Sequence, residues 1–135
     1  MRVWVFFCHA FGNPWWSRFL DKDFSHCFMI KEQLLYDLPL YIRLEGLTHR
    51  IINDVQLLPI ENTIENTINL AITNSNWKVK ILEGTIDNDY TKPYNQFEFL
   101  TCVTLLKKTL GINKPFIVSP KQLFKHLQTT GYKEI

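Results

Sequence analysis

The spacing of the apolar residues changes partway along the chain, and this change constrains the fold more than any other feature of the sequence. Before Ile60 the apolar residues form short runs or alternate with polar ones, which is typical of β-strands. After Ile60 they recur every three or four residues, which is typical of helices, except in one alternating segment that begins at Trp77. The predicted strands cover residues 2–8, 24–30, 34–43, 49–58 and 77–85. The predicted helices cover residues 61–73, a segment that ends at Gly111, and a segment from Ser119 to Gly131.

These patterns predict an α+β fold with an antiparallel sheet of about five strands and two or three packed helices. The chain has 135 residues, of which 46% are apolar, so it can bury a core within a single domain that spans residues 1–135. Pro39 interrupts the third strand and indicates an edge strand or a bulge there.

Composition excludes several classes of protein. Fifteen basic and 13 acidic residues give a net charge of +2, which is too balanced to favour nucleic acid or an anionic membrane as the main partner. No apolar segment is long enough to span a membrane. Three cysteines without a Cys-x-x-Cys pair argue against a disulfide framework and a four-ligand zinc site, and favour a reducing, cytoplasmic location. Glycine-rich phosphate loops and zinc-peptidase motifs are lacking, so we expect neither a cofactor nor a metal.

Cys102 is the first residue that points to chemistry. The helix that contains it begins either at Asn95, which places Cys102 in the second turn, or after Thr101, which makes Cys102 the first helical residue. In the second case the unpaired amides and the positive end of the helix dipole would lower the pKa of the thiol and bind an oxyanion. The alternative is that Cys102 is a small buried apolar residue.

His26 is the second such residue, because strand alternation places it in a row with Phe24 and Phe28 on the predicted core face. A polar ring in that row needs a hydrogen-bonding partner. If residues 31–32 form a two-residue turn, Asp37 lies directly opposite His26 and can orient it; a three-residue turn would place Leu38 there instead. The alternative is that His26 is a hydrogen-bonded histidine of the core without a catalytic role.

Residues 24–28, 101–112 and 118–127 place a histidine strand early in the chain and a cysteine helix late. In these segments the sequence resembles the permuted branch of the papain-like cysteine hydrolase superfamily, which includes lecithin retinol acyltransferase-like proteins and small uncharacterised phage proteins. The resemblance implies a permuted papain-like fold in which Cys102, His26 and Asp37 are catalytic. It also implies a peptide, peptidoglycan or acyl substrate.

Two further hypotheses follow from the sequence. Trp15 and Trp16 come directly after a Gly-Asn-Pro turn, and they either cover the core or line a cleft that binds substrate. A non-catalytic phage protein on the same fold is the alternative to an enzyme. Such a protein would act as a virion component or as an inhibitor that binds a host protein, and it would be found in the virion or the host cytoplasm.

Overall fold

A computed structural model describes residues 1–9, 24–46, 51–56, 64–73, 78–87 and 101–135. The described elements confirm the α+β class. The strands are β1 (Arg2–Cys8), β2 (His26–Leu35), β3 (Leu38–Gly46), β4 (Ile51–Gln56), β5 (Lys80–Thr85) and β6 (Lys133–Glu134). The helices are α1 (Ile64–Thr73), α2 (Cys102–Thr109) and α3 (Pro120–Thr129). Among the described residues, no helix is long and apolar enough to cross a membrane.

The strands form one antiparallel sheet in the order β4-β3-β2-β1-β5-β6. β1 lies between β2 and β5, and its residues from Val3 to Phe7 are almost completely buried. Both faces of this central strand are covered, which explains why its sequence is a continuous apolar run and does not alternate with polar residues.

Two apolar clusters cover the two faces of the sheet. The first face packs against α2 and α3, and its cluster contains Val5, Phe7, Cys27 and Met29 of the sheet, among others. The second face packs against α1, and the members of its cluster are Trp4, Phe6, Ile30, Ile64, Ile68 and Ile81. Since neighbouring residues of β1 and β2 alternate between the two clusters, the sheet forms the shared middle layer of the fold.

The turn between β2 and β3 differs from the predicted one. Residues 31–32 do not form a turn, because Lys31 is paired with Val3 of β1 inside the sheet. The chain reverses instead at Tyr36 and Asp37, which have φ angles of 50° and 63° and connect Leu35 to Leu38. Two consecutive residues with positive φ are the signature of a tight hairpin turn.

The helix termini follow the local sequence. Ser119 caps α3 through a capping box with Gln122, and Pro120 occupies the first turn, as predicted. Of the two predicted starts for α2, the structure has the later one: Thr101 is extended, and its side chain accepts a hydrogen bond from the Thr104 amide. The earlier start at Asn95 lies outside the described residues.

Candidate active site

His26 is the first residue of β2, and its ring is bound to a buried carboxylate. Its Nε2 atom lies 2.7 Å from Oε1 of Glu45. Glu45 is paired with Phe28, so its side chain lies on the same face as His26 and reaches the ring diagonally across the two strands. Both residues are buried, with 9% and 6% of their surface exposed. The histidine therefore has a partner, as its buried position requires.

Asp37 is not that partner, and its predicted pairing with His26 is wrong. Asp37 lies in the turn beyond Leu35, whereas His26 begins the same strand at its other end. A ten-residue strand is about 30 Å long at roughly 3.3 Å per residue, which puts the Asp37 carboxylate far from the imidazole. The carboxylate beside His26 belongs to Glu45 and not to Asp37.

Arg43 holds the Glu45 carboxylate from the opposite side. Its Nη2 atom donates to Oε2 of Glu45, while Oε1 remains bound to His26. The guanidinium also lies 4.8 Å from the ring centre of Phe28, which fixes its position by a cation–π contact. Each carboxylate oxygen thus has a separate donor, so the carboxylate has one defined orientation toward His26.

Cys102 is the first residue of α2 and rests on the end of β3. A Cβ atom added to Gly46 would lie 3.2 Å from Cα and 3.3 Å from the amide nitrogen of Cys102. Any side chain at position 46 would press on the backbone of the helix start. Glycine at this position is therefore what lets the first turn of α2 approach Glu45 and His26 so closely.

The Cys102 sulfur receives several hydrogen bonds that favour its ionised form. The pKa of Cys102 lies well below its ordinary value of 9.0, first because the Cys27 thiol donates a hydrogen bond to it. Burial acts in the opposite direction, but a hydrogen bond from His26, the positive charge of that ring and the Cys27 amide all lower the pKa further. With Nε2 of His26 bound to Glu45, Nδ1 is the ring nitrogen that remains for the sulfur.

The pKa of the His26 imidazole is shifted upward, in the opposite direction to that of Cys102. Burial lowers the pKa of His26, but hydrogen bonds and charge interactions with Cys102 and Glu45 outweigh it and raise the pKa to about 9. The hydrogen bond to His26 in turn lowers the pKa of Glu45, against the effect of its burial, and Arg43 lowers it further. These shifts favour a thiolate paired with an imidazolium, with the Glu45 carboxylate behind the ring.

The other two cysteines, both within the described residues, have pKa values that are raised, whereas that of Cys102 is lowered. Burial raises the pKa of Cys27 well above its ordinary value, and the hydrogen bond and charge of Cys102 raise it further. Burial, followed by the charges of Glu45 and Cys102, raises the pKa of Cys8 to about 11. Cys102 is thus the one cysteine of the three whose surroundings make it nucleophilic at neutral pH.

Cys102 and His26 were predicted from the sequence, whereas Glu45 and Cys27 were not. The signal for Glu45 was two charged residues, Arg43 and Glu45, at alternate positions of an otherwise apolar strand that ends in glycine. Trp15 and Trp16 lie outside the described residues. Within the part of the chain that the structure describes, no group of three His, Cys, Asp or Glu side chains is arranged to hold a metal ion.

Comparison of the chain with family models, curated proteins and solved structures finds no match.

Proposed function

We propose that this protein is a cysteine hydrolase or acyltransferase in which Cys102 is the nucleophile, His26 the acid–base catalyst and Glu45 the orienting carboxylate. One observation carries this proposal: the Cys102 sulfur is hydrogen-bonded to a histidine whose Nε2 atom is 2.7 Å from a buried carboxylate. A nucleophile, a base and an orienting third group in contact are the arrangement that covalent catalysis requires.

The geometry supports a two-step reaction at a carbonyl carbon. The Cys102 thiolate attacks the carbon, and the amides of Cys102 and Val103, which have no acceptor within α2, can stabilise the oxyanion. The imidazolium of His26 then gives its proton to the leaving amine or alcohol, which breaks the bond and leaves an acyl group on sulfur. Water or a second acceptor, deprotonated by His26, releases that acyl group.

The order of the elements also supports the proposed relationship to permuted papain-like proteins. The histidine lies on an early strand and the cysteine at the start of a late helix, as the resemblance implies. The substrate classes that follow from the proposal are an amide in a peptide or in peptidoglycan, or an ester or thioester of a fatty acid.

Alkylation of the native protein with iodoacetamide at neutral pH tests the thiolate directly. We expect Cys102 to react much faster than Cys8 and Cys27, since the latter are buried and have raised pKa values. Equal labelling of all three cysteines, or none, would contradict the proposal.

Turnover is tested on a panel of peptide, peptidoglycan-fragment and acyl-ester substrates. Cys102→Ala should abolish hydrolysis in a protein that remains folded, whereas Cys8→Ala is the matched control that retains activity. Hydrolysis that persists in Cys102→Ala would refute the assignment of the nucleophile.

A second hypothesis, a protein-binding role without catalysis, is favoured by the tip of the β2–β3 hairpin. Leu34, Leu35, Tyr36 and Leu38 are all exposed there, and Tyr36 is 92% exposed. Such an apolar tip is typical of a surface that contacts another protein, as the alternative of a virion component or a host-protein inhibitor requires. Slow alkylation of Cys102, with full binding to a partner protein that is lost in Tyr36→Ser, would favour this role over catalysis.

A further inference from the structure

Cys27 and Cys102 are adjacent because of how α2 rests on the sheet. The register that pairs Phe28 with Glu45, continued by one residue along both strands, places Cys27 opposite Gly46. Directly opposed residues project from the same face of a sheet. Gly46 has no side chain, and the backbone of Cys102 lies 3.2 Å from where its Cβ would be. Cys102 therefore occupies the place beside Cys27 that a side chain at position 46 would take.

The spacing of these residues suits a covalent bond between the two sulfurs. A disulfide needs two cysteine side chains that face each other at short range, with Cβ atoms about 3.5–4.5 Å apart. The Cα atom of Cys102 lies 3.2 Å from the Cβ position of Gly46, the residue opposite Cys27. The Cys27 thiol also donates a hydrogen bond to the Cys102 sulfur, so the two side chains face each other.

The two cysteines also differ in access. Cys27 is completely buried in the apolar cluster between the sheet and the helices, whereas Cys102 is partly exposed and packs against the outside of that cluster. A small oxidant from solvent therefore reaches Cys102 first, and Cys27 lies directly behind it.

Cys8 is less well placed than Cys27, because Cys27 is the cysteine whose thiol donates a hydrogen bond to the Cys102 sulfur. Cys8 is paired with His26, and it alternates along β1 with Phe7, whose side chain belongs to the cluster that contains Cys27. Cys8 thus projects from the opposite face of the sheet, as Phe6 does. This makes Cys8 a matched control for Cys27: both are buried cysteines, on neighbouring strands beside the same histidine.

We propose that Cys102 is a site of reversible oxidation by hydroperoxides, and that Cys27 resolves the oxidised form into a Cys27–Cys102 disulfide. The modification would inactivate the proposed hydrolase, and this last consequence rests on the proposed function. The oxidation itself requires only the two cysteines and a peroxide.

The chemistry proceeds in two balanced steps. The Cys102 thiolate attacks one oxygen of hydrogen peroxide, so an S–O bond forms, the O–O bond breaks and hydroxide leaves; the sulfur is oxidised by two electrons and the peroxide is reduced. The Cys27 sulfur then attacks the Cys102 sulfur, so an S–S bond forms and the S–O bond breaks. The departing hydroxide takes the Cys27 proton and leaves as water.

The first step also prepares the second. Burial raises the pKa of Cys27, and the negative charge of Cys102 raises it further. Conversion of the thiolate to a neutral sulfenic acid removes that charge. Cys27 then loses its proton more readily, at the moment when its neighbour has become electrophilic.

The test is to treat the reduced, folded protein with hydrogen peroxide and to measure its intact mass and its non-reduced peptide map. We expect a mass lower by two hydrogen atoms, a peptide that joins Cys27 to Cys102, and full return of the thiols with dithiothreitol. The Cys8→Ala variant should behave in the same way. Addition of oxygen atoms to Cys102 in the wild type without a disulfide, or a bond between Cys8 and Cys102, would overturn the proposal.

A variant at the resolving position gives a second readout. In Cys27→Ala we expect the sulfenic acid of Cys102 to persist long enough to be trapped by dimedone and then to be oxidised further. If this variant does not fold, the result with the wild type and Cys8→Ala still decides the question, because the disulfide is measured directly.

The outcome is separable from that of the proposed function. A Cys27–Cys102 disulfide in a protein that hydrolyses nothing would refute only the hydrolase. Hydrolysis that depends on Cys102, without the disulfide after peroxide treatment, would refute only the oxidation. Where both hold, peroxide should abolish hydrolysis and dithiothreitol should restore it.

Discussion

Replacing Glu45 with glutamine removes a charge from the site while keeping the size of the side chain and its ability to accept a hydrogen bond. Oε1 of Glu45 lies 2.7 Å from Nε2 of His26, and both groups are buried. A hydrogen bond that involves a charged group contributes about 1.5–3 kcal/mol, and one pKa unit corresponds to about 1.36 kcal/mol. We therefore expect Glu45→Gln to lower the pKa of His26 from about 9 by roughly one to two units.

The shift has a measurable chemical consequence. With a pKa of about 9, roughly nine in ten His26 rings are charged at pH ~8, whereas with a pKa of ~7.5 only about a quarter are. Loss of the imidazolium removes the positive charge that helps to hold Cys102 as a thiolate. It also removes the proton donor for the leaving group, so the upper pH limit of any hydrolysis should move down by the same one to two units, on the order of the change in His26.

The assay is the titration of the His26 ring protons by NMR, with the signal assigned from a His26→Asn variant among the four histidines of the chain. Glu83→Gln is the matched control, because Glu83 of β5 forms its salt bridge with Arg2 of β1 near the protein surface. We expect that variant to leave the titration of His26 unchanged. If the titration midpoint of His26 in Glu45→Gln coincides with that of the wild type, the carboxylate does not hold the imidazolium and the assigned role of Glu45 is wrong.

Three further predictions concern the start of α2. Gly46→Ala should destabilise the protein by about 1–3 kcal/mol in chemical denaturation and slow Cys102 alkylation, because the added Cβ atom would lie 3.2 Å from the Cα atom of Cys102. Gly131→Ala is the control: its Cβ atom meets nothing within 4 Å, and it should leave Cys102 alkylation unchanged. Thr101→Ala removes the cap of α2 and should cost about 1 kcal/mol of unfolding free energy, and an unchanged value would contradict the capping role. The lowered pKa of Cys102 contributes stability that is complete above pH 9.0 and lost as pH falls, while the raised pKa of His26 contributes stability that is complete below pH 6.5 and lost toward pH 9. Between pH 6.5 and pH 9.0 these two contributions change in opposite directions. Below pH 6.5 the Cys102 contribution remains, so the unfolding free energy of the wild type should fall by about 1.4 kcal/mol for each pH unit of acidification, and Cys102→Ser should lack this slope. Equal slopes in both proteins would refute the ionised thiol.

The period of the apolar residues was enough to predict the fold class and most of the elements. The central strand β1 could be identified from its continuous apolar run, and α3 from its Ser119 cap and the following proline. The position of the hairpin turn could not be predicted from the sequence. Residues 31–32 are polar, as a turn usually is, whereas Tyr36 and Asp37 lack the glycine that usually marks such turns. The paired position of Lys31 in the sheet depends on β1, a long-range contact that no local pattern records.

The wrong turn prediction also gave the wrong carboxylate partner for His26. With the predicted turn, Leu35 would lie opposite Phe28, whereas the residue observed there is Glu45, ten positions further along the chain. Cys102 and His26 could be found from the sequence because each has a local signal, a helix cap and a strand position. The carboxylate partner has none, since its identity depends only on the strand register. The neighbourhood of Cys27 and Cys102 depends likewise on how a helix docks on a sheet.

The position of Cys102 on Gly46 has a consequence for the nascent protein. The side chains that lower the pKa of this thiol come from distant parts of the chain, namely Cys27 and His26, and Gly46 at the end of β3 leaves room for the helix start. During synthesis, or after α2 detaches, the cysteine reverts to an ordinary pKa and is mostly protonated at neutral pH. An unfinished molecule, or one whose first α2 turn has left the sheet, therefore lacks the lowered pKa of Cys102.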